Sequence, residues 1–305
     1  MRAWTNIVIA AAMVAAPLHA QAVPPEPAPG TIEVRGKRQI DKAIVADSIR
    51  ALTRRIKVLD VVPRFHDPVC LQVTGPDMAA NRVIAERITA AAELARLDKP
   101  SDNCRVNALL IIVDDPERLL DKLVQRHRPV IGGLERDVHM RRLRDDVAAG
   151  KPVISWNRVL PIKPGTINMI NGTTAESRSL FTSRLEGRMY RSKVLSVVVF
   201  DSKQTGGATP AQIGDYAALH LLANPNRNID FNVPAGRSIL SLFADGPELA
   251  PEGLTAFDRA YLEGVYAVGA NAWRGKVTRA VLAAYEEECA DEKPDCQFLV
   301  AEEGQ

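Results

Sequence analysis

Four side chains in the second half of this 305-residue chain are of kinds that move protons: Asp201, Asp215, Tyr216 and His220. A carboxylate, an imidazole and a phenol can perform metal-free hydrolysis if they converge to about 3 Å, directly or through one water. Their spacing does not achieve this by itself. Asp215 and His220 are five positions apart on one predicted helix, roughly 140° around its axis, so they do not share a face. Asp201 ends a predicted buried strand, where a carboxylate either lines a cleft with Asp215 or Tyr216 or caps the next helix. His66 is followed by Asp67, but neighbours on an extended chain point to opposite sides, which suits a structural histidine at the start of a strand. His127 and His139 lie in Arg-rich helical sequence and read as solvated. Phe257, Tyr261 and Tyr266 are at helical spacing and read as core.

Other constellations are missing from the sequence. There is no HExxH to place two imidazoles one turn apart, no G-x-S-x-G elbow, no G-x-x-x-x-G-K-[ST] loop and no G-x-G-x-x-G after a strand. The expectation is therefore no metal and no cofactor.

The elements that must position these residues are legible from periodicity. Residues 69–74 read as a strand and 77–97 as an Ala-rich amphipathic helix with Met78, Ile84, Ile88 and Leu94 or Ala95 inward. Residues 106–113, VNALLIIV, form a continuous apolar run, the pattern of a strand covered on both faces. Asp115 followed by Pro116 marks a helix start, and helices follow to about 127 and over 134–149. Residues 153–160 read as a strand broken by Pro161 and Pro164, and Asn171-Gly172 offers a hairpin turn. Residues 193–200, KVLSVVVF, are a second buried strand, followed by a Gly206-Gly207 loop and a helix over 209–223 that Thr209 caps and Pro210 opens. Helical segments over 238–243, 255–268 and 273–289 make a mostly helical C-terminal third. The fold class expected is α+β, a mixed sheet packed by helices.

The helix DYAALHLLA (215–223) and the segment LTAFDRAYLEGVY (254–266) resemble a group of uncharacterised exported bacterial proteins. These are distantly similar in layout to a secreted zincin-like family, in which a comparable segment follows the active-site helix. The resemblance covers about residues 190–270 and implies a degenerate zincin-like scaffold. Gly214-Asp215-Tyr216-Ala217-Ala218 stands where a peptidase would carry His-Glu-x-x-His, so neither metal ligands nor a general base carry over.

The N-terminus predicts where the chain goes. Arg2, an apolar run over 7–17 and small-residue cleavage sites ending at Ala20 or Ala22 make a signal peptide over 1–22; a retained anchor is the alternative, but the run is short of the ~20 residues a span needs. A Pro-rich linker covers 23–39, an amphipathic helix 40–60, and one globular domain 61–305, with a sub-boundary near 150–165. Residues 32–38, IEVRGKR, resemble the short box by which TonB-dependent receptors meet their energising partner; a solvated extended segment is the alternative. The helix over 40–60 has apolar residues at 40, 44, 49, 52, 56 and 59 and a basic face of Arg50, Arg54, Arg55 and Lys57.

Four cysteines in an exported chain favour disulfides over zinc, since no C-x-x-C exists. Of three connectivities, Cys70–Cys104 and Cys289–Cys296 join segments that the predicted elements bring close. Lys plus Arg number 39 against 37 Asp plus Glu, and aromatics make up 5%; that balance argues against nucleic acid as a partner. The function expected is an exported, periplasmic or secreted, non-catalytic binding or accessory protein whose partner is an envelope protein or polymer. The alternative is a hydrolase built on Asp201, Asp215, Tyr216 and His220.

Overall fold

The computed structural model of the protein describes residues 42–53, 61–131, 137–162, 190–223, 225–226, 238–290 and 296. The signal peptide, the linker with its 32–38 segment, Arg54, Arg55, Lys57 and the 171–172 turn lie outside the described residues. The chain divides into Met1–Gln39 and Ile40–Gln305; everything below concerns the second unit.

Four strands form a mixed sheet in the order β1-β2-β4-β3. β1 (Leu71–Thr74), β2 (Ala108–Val113) and β4 (Tyr190–Asp201) run parallel, with Val73 opposite Leu110 and Leu110 opposite Val198. β3 (Val153–Ile162) is antiparallel to β4, Ile154 opposite Val199, with an irregularity at Arg158/Val159. Helices cover both faces. Ala108 and Leu110 of β2 and Val198 and Phe200 of β4 face a large core shared with α1 (Lys42–Leu52), α2 (Met78–Leu94), α6 (Pro210–Ala218), α8 (Ala256–Ala267) and α9 (Arg274–Glu288). Ile111, Val197, Val199, Ile154 and Trp156 face a smaller one with α3 (Pro116–Arg126), α4 (Arg128–Ile131) and α5 (Asp137–Ala148). The apolar runs Ala108–Val113 of β2 and Val197–Phe200 of β4 follow from this burial on both faces.

Local signals start the helices. The Asp77 side chain accepts the Ala79 and Ala80 N–H groups at α2, and Asp115 accepts Arg118 N–H at α3 with Pro116 in the first turn. Thr209 and Gln212 form a reciprocal capping box at α6. α6 then widens into a π-helical turn, Leu219–Ala223, and a 3-10 turn, Ile239–Ser241, leads into the short α7 (Leu242–Asp245). Gly264 lets α8 meet α9: a Cβ there would stand 2.4 Å from Val281 Cα.

Three local expectations differ from what the structure shows. Pro161 does not end β3, which continues to Ile162 and pairs Pro161 with Arg191; β3 is an edge strand, where a missing N–H is tolerated. Over the described part of the 150–165 stretch, β3 is hydrogen-bonded to β4 from Val153 to Ile162; residues 163–165 lie outside the described residues. Met78 is 80% exposed; the inward stripe runs Asn81, Ile84, Ile88, Ala91, Ala95, and Met78 falls off that 3.6-residue period. α1 spans Lys42–Leu52 and buries Val45, Ser48, Ile49 and Leu52, while Thr53 leaves the helix to bridge Pro225.

The cysteines pair as Cys70–Cys104 and Cys289–Cys296. No helix among the described residues is long and apolar enough to cross a membrane.

Candidate functional site

Of the four proton-moving residues, the fold brings two together. Tyr216 stacks on His220 with ring centroids 4.7 Å apart, and His220 Nδ1 lies 3.3 Å from Ser155 Oγ on β3. All three are buried, at 7%, 7% and 3% exposure. Asp215, one helical face away, points to α2. Its carboxylate accepts Arg87 Nε at 3.0 Å, the Arg87 terminal N–H, and Leu254 N–H at 2.9 Å. Gly214 beside it permits this approach, since a Cβ there would come within 2.8 Å of Arg87 Cβ. Asp201 accepts Lys203 N–H at 2.9 Å and so closes the turn after β4. In this region the carboxylates are committed to backbone and to arginine.

Open α/β sheets usually bind ligands beyond the carboxyl ends of their parallel strands. Here that edge carries Asp77, Asp115 and Thr209, each capping a helix. The described residues form a polar cleft at the opposite, amino edge instead. It holds about 180 Å³ between residues 64–68, the turn 96–98 that ends α2, and Tyr266 of α8.

Each wall has a traceable cause. Residues 61–65 run beside the first part of β4: Arg64 N–H reaches Arg191 O at 3.4 Å and Lys193 N–H donates to Arg64 O at 2.8 Å. This turns the Arg64 side chain, 6% exposed, onto the end of α8, where its guanidinium donates to the Val265 and Val268 carbonyls. Those carbonyls lack helical partners, and a cation there also meets the negative end of the helix dipole. The fully buried Lys193 treats the π-helical turn alike, Nζ donating to Leu221 O at 2.8 Å and Leu222 O at 3.0 Å. Burial pushes both Arg64 and Lys193 below their usual pKa ranges. Tyr266 links the two caps: its hydroxyl donates to Leu222 O at 3.0 Å, and Arg64 lies over its ring at 5.8 Å.

His66 packs edge-on against Tyr190 at 4.5 Å. Burial, helped by the Arg64 charge, lowers its pKa to about 4, so its imidazole is neutral at pH 7. Its Nε2 is buried and has no hydrogen-bond partner among the described residues. On the facing wall Arg96 has φ 56°, the left-handed position that closes a helix and usually falls to glycine. The closure is complete, with Leu97 N–H on Ala92 O at 3.0 Å and Arg96 N–H on Glu93 O at 2.9 Å. The walls are braced together: the Asn107 side chain binds Cys70 N–H at 2.8 Å and Pro68 O at 2.9 Å, and Cys70 is bonded to Cys104.

Among the described residues no three metal-ligating side chains cluster. Sequence reasoning placed His66 in a structural role and Tyr266 in the core, and passed over Arg64 and Arg96. The Pro100 that follows α2 signals a helix stop, but no sequence pattern marks residue 96 as left-handed. No protein-family model matches the chain, and neither a curated protein nor a solved structure does.

Proposed function

We propose that this chain is an exported, non-catalytic binding protein of the cell envelope, holding a small polar ligand in the cleft formed by residues 64–68, 96–98 and Tyr266. The observation that carries the reading is the cleft itself: charged and hydrogen-bonding groups converge on walls fixed by Arg64, Asn107 and the Cys70–Cys104 bond. Such bracing lowers the cost of ordering a site on binding. Export is supported by the pattern of residues 1–22 and by two disulfides, which persist in oxidising compartments. On this reading, the likeness of residues 190–270 to a zincin-like layout is one of scaffold alone. Gly214 and Asp215 serve helix packing there.

The test is to express the full chain with its own N-terminus and recover it from the periplasmic fraction without chelator. A processed chain that carries a small molecule in native mass spectrometry is the expected result. A chain retained unprocessed in the cytosol overturns export, and a ligand-free chain that no polar small molecule stabilises overturns binding.

One contact favours a second reading, a hydrolase using Ser155 and His220, whose side chains are 3.3 Å apart beside Tyr216. A nucleophile so buried needs an opening of β3 from α6 to meet substrate. Ester and peptide turnover that disappears in Ser155→Ala with unchanged stability would put this reading first.

A further inference from the structure

Resting on the binding reading, we infer that the cleft takes a small zwitterion, a free α-amino acid or the end of a very short peptide. Its carboxylate would meet Arg64 and Arg96, and its ammonium Asp67 and Asp98.

The lining carries both signs, two arginines and two aspartates. A ligand of one sign leaves the other pair facing like charge, whereas a zwitterion satisfies both. Arg64 is poised for a carboxylate. A guanidinium has five N–H groups; the described contacts commit its two terminal nitrogens to the Val265 and Val268 carbonyls, and no carboxylate of the described residues pairs with it. It is thus a desolvated cation, held at the cleft wall by the carbonyls at the end of α8.

Arg96 supplies an independent observation. Left-handed backbone disfavours any side chain with a Cβ, and residue 96 holds it at φ 56°. Its partner in the structure is Glu263, at 2.8 Å, with the arginine side chain 82% exposed, a kind of ion pair that contributes little. The helix end by itself favours glycine at this position, and the arginine that occupies it has its side chain at the cleft. Strain of this kind accumulates at ligand sites. His66 Nε2, buried beside Arg64, adds a neutral group able to donate or accept. At about 180 Å³ the cleft is below the ~300–1,000 Å³ of drug-sized pockets, a size that suits a small ligand or the end of a short one.

The experiment measures the unfolding midpoint of the processed chain against glycine, L-alanine and L-serine. L-alaninamide lacks the carboxylate, N-acetyl-L-alanine lacks the ammonium, and inorganic phosphate and glucose serve as non-zwitterionic probes. Ligands that bind only the folded state raise the midpoint in proportion to their saturation. The expected result is stabilisation by the amino acids, weakened at least tenfold in apparent affinity for the amide and the acetyl derivative. Arg96→Gly should unfold at or above the wild-type midpoint while losing at least tenfold in affinity, a combination that a purely structural arginine does not produce. Asp98→Asn should weaken the amino acids more than the acetyl derivative. Unchanged amino-acid affinity in Arg96→Gly overturns the inference. So does stabilisation by phosphate or glucose alone, which would leave the binding reading standing. A chain that none of the probes stabilises and that copurifies with no ligand overturns both.

Discussion

Asp215→Asn separates a structural carboxylate from a catalytic one, and its cost can be worked from the contacts. Oδ1 accepts Arg87 Nε, and Oδ2 accepts both the Arg87 terminal N–H and Leu254 N–H. An amide has one acceptor. Turned toward Leu254, it sets its NH2 against Arg87 Nε; turned the other way, it opposes Leu254 N–H. Either orientation loses at least one hydrogen bond to a charged group, about 1.5–3 kcal/mol. Arg87 is 43% exposed and can rehydrate, while Asp215 is 1% exposed. The expected loss for Asp215→Asn is therefore about 2–3 kcal/mol, or roughly 4–6 °C in Tm for a domain of this size. Arg87→Met should cost more, about 3–5 kcal/mol, because it strands a buried carboxylate with one backbone donor. The double variant should lose less than the sum of the two. Urea unfolding followed by the fluorescence of Trp156, 3% exposed, and by far-UV circular dichroism reads all three. An Asp215→Asn midpoint within about 0.5 kcal/mol of wild type, or an Arg87→Met cheaper than Asp215→Asn, refutes the reasoning.

Gly264→Ala would gain about 1 kcal/mol in helix propensity, yet its Cβ meets Val281 backbone at 2.4 Å. Since α8 and α9 must part, urea unfolding should show a net loss of about 2 kcal/mol, and a gain would show that the helices yield freely. Replacing Cys70 and Cys104 by alanine opens a 34-residue loop, against 7 for Cys289–Cys296; chain entropy puts the first near ~4 kcal/mol and the second near ~2.5, an order that thermal unfolding checks. pH dependence has two opposing sources. The folded state depresses His66 to about 4, so its share of stability is full above pH 6.5 and falls as pH drops toward 4. Burial raises Asp258 to about 6 despite its bonds from Ser238 and Ile239, so its share is full below about 3.8 and falls as pH rises to about 6. The wild-type advantage over His66→Gln should thus shrink from pH 6.5 to 4, and that over Asp258→Asn should grow from pH 6 to 4. Each slope stays below about 1.4 kcal/mol per pH unit, less for the partly exposed His66, whose charge water screens.

Much of the scaffold is written locally. Asp77, Asp115-Pro116 and Thr209 with Gln212 announce helix starts, because a cap binds N–H groups two or three residues on and needs nothing else. The runs that became β2 and β4 declared themselves by lacking any polar face, and an even cysteine count is read without geometry. Tertiary structure decided the rest. Pro161 is tolerated because strand order leaves β3 at an edge, a fact no window of sequence contains. Asp215 is structural because Arg87 meets it from 128 positions away, and Arg64 acquires its place from carbonyls of α8 more than 200 positions on. The cleft gathers 64–68, 96–98 and 266 from three elements. Periodicity and capping act over one helical turn or one strand and leave a pattern in the neighbours. A contact between distant elements is selected by packing, and packing leaves no period in the sequence to read.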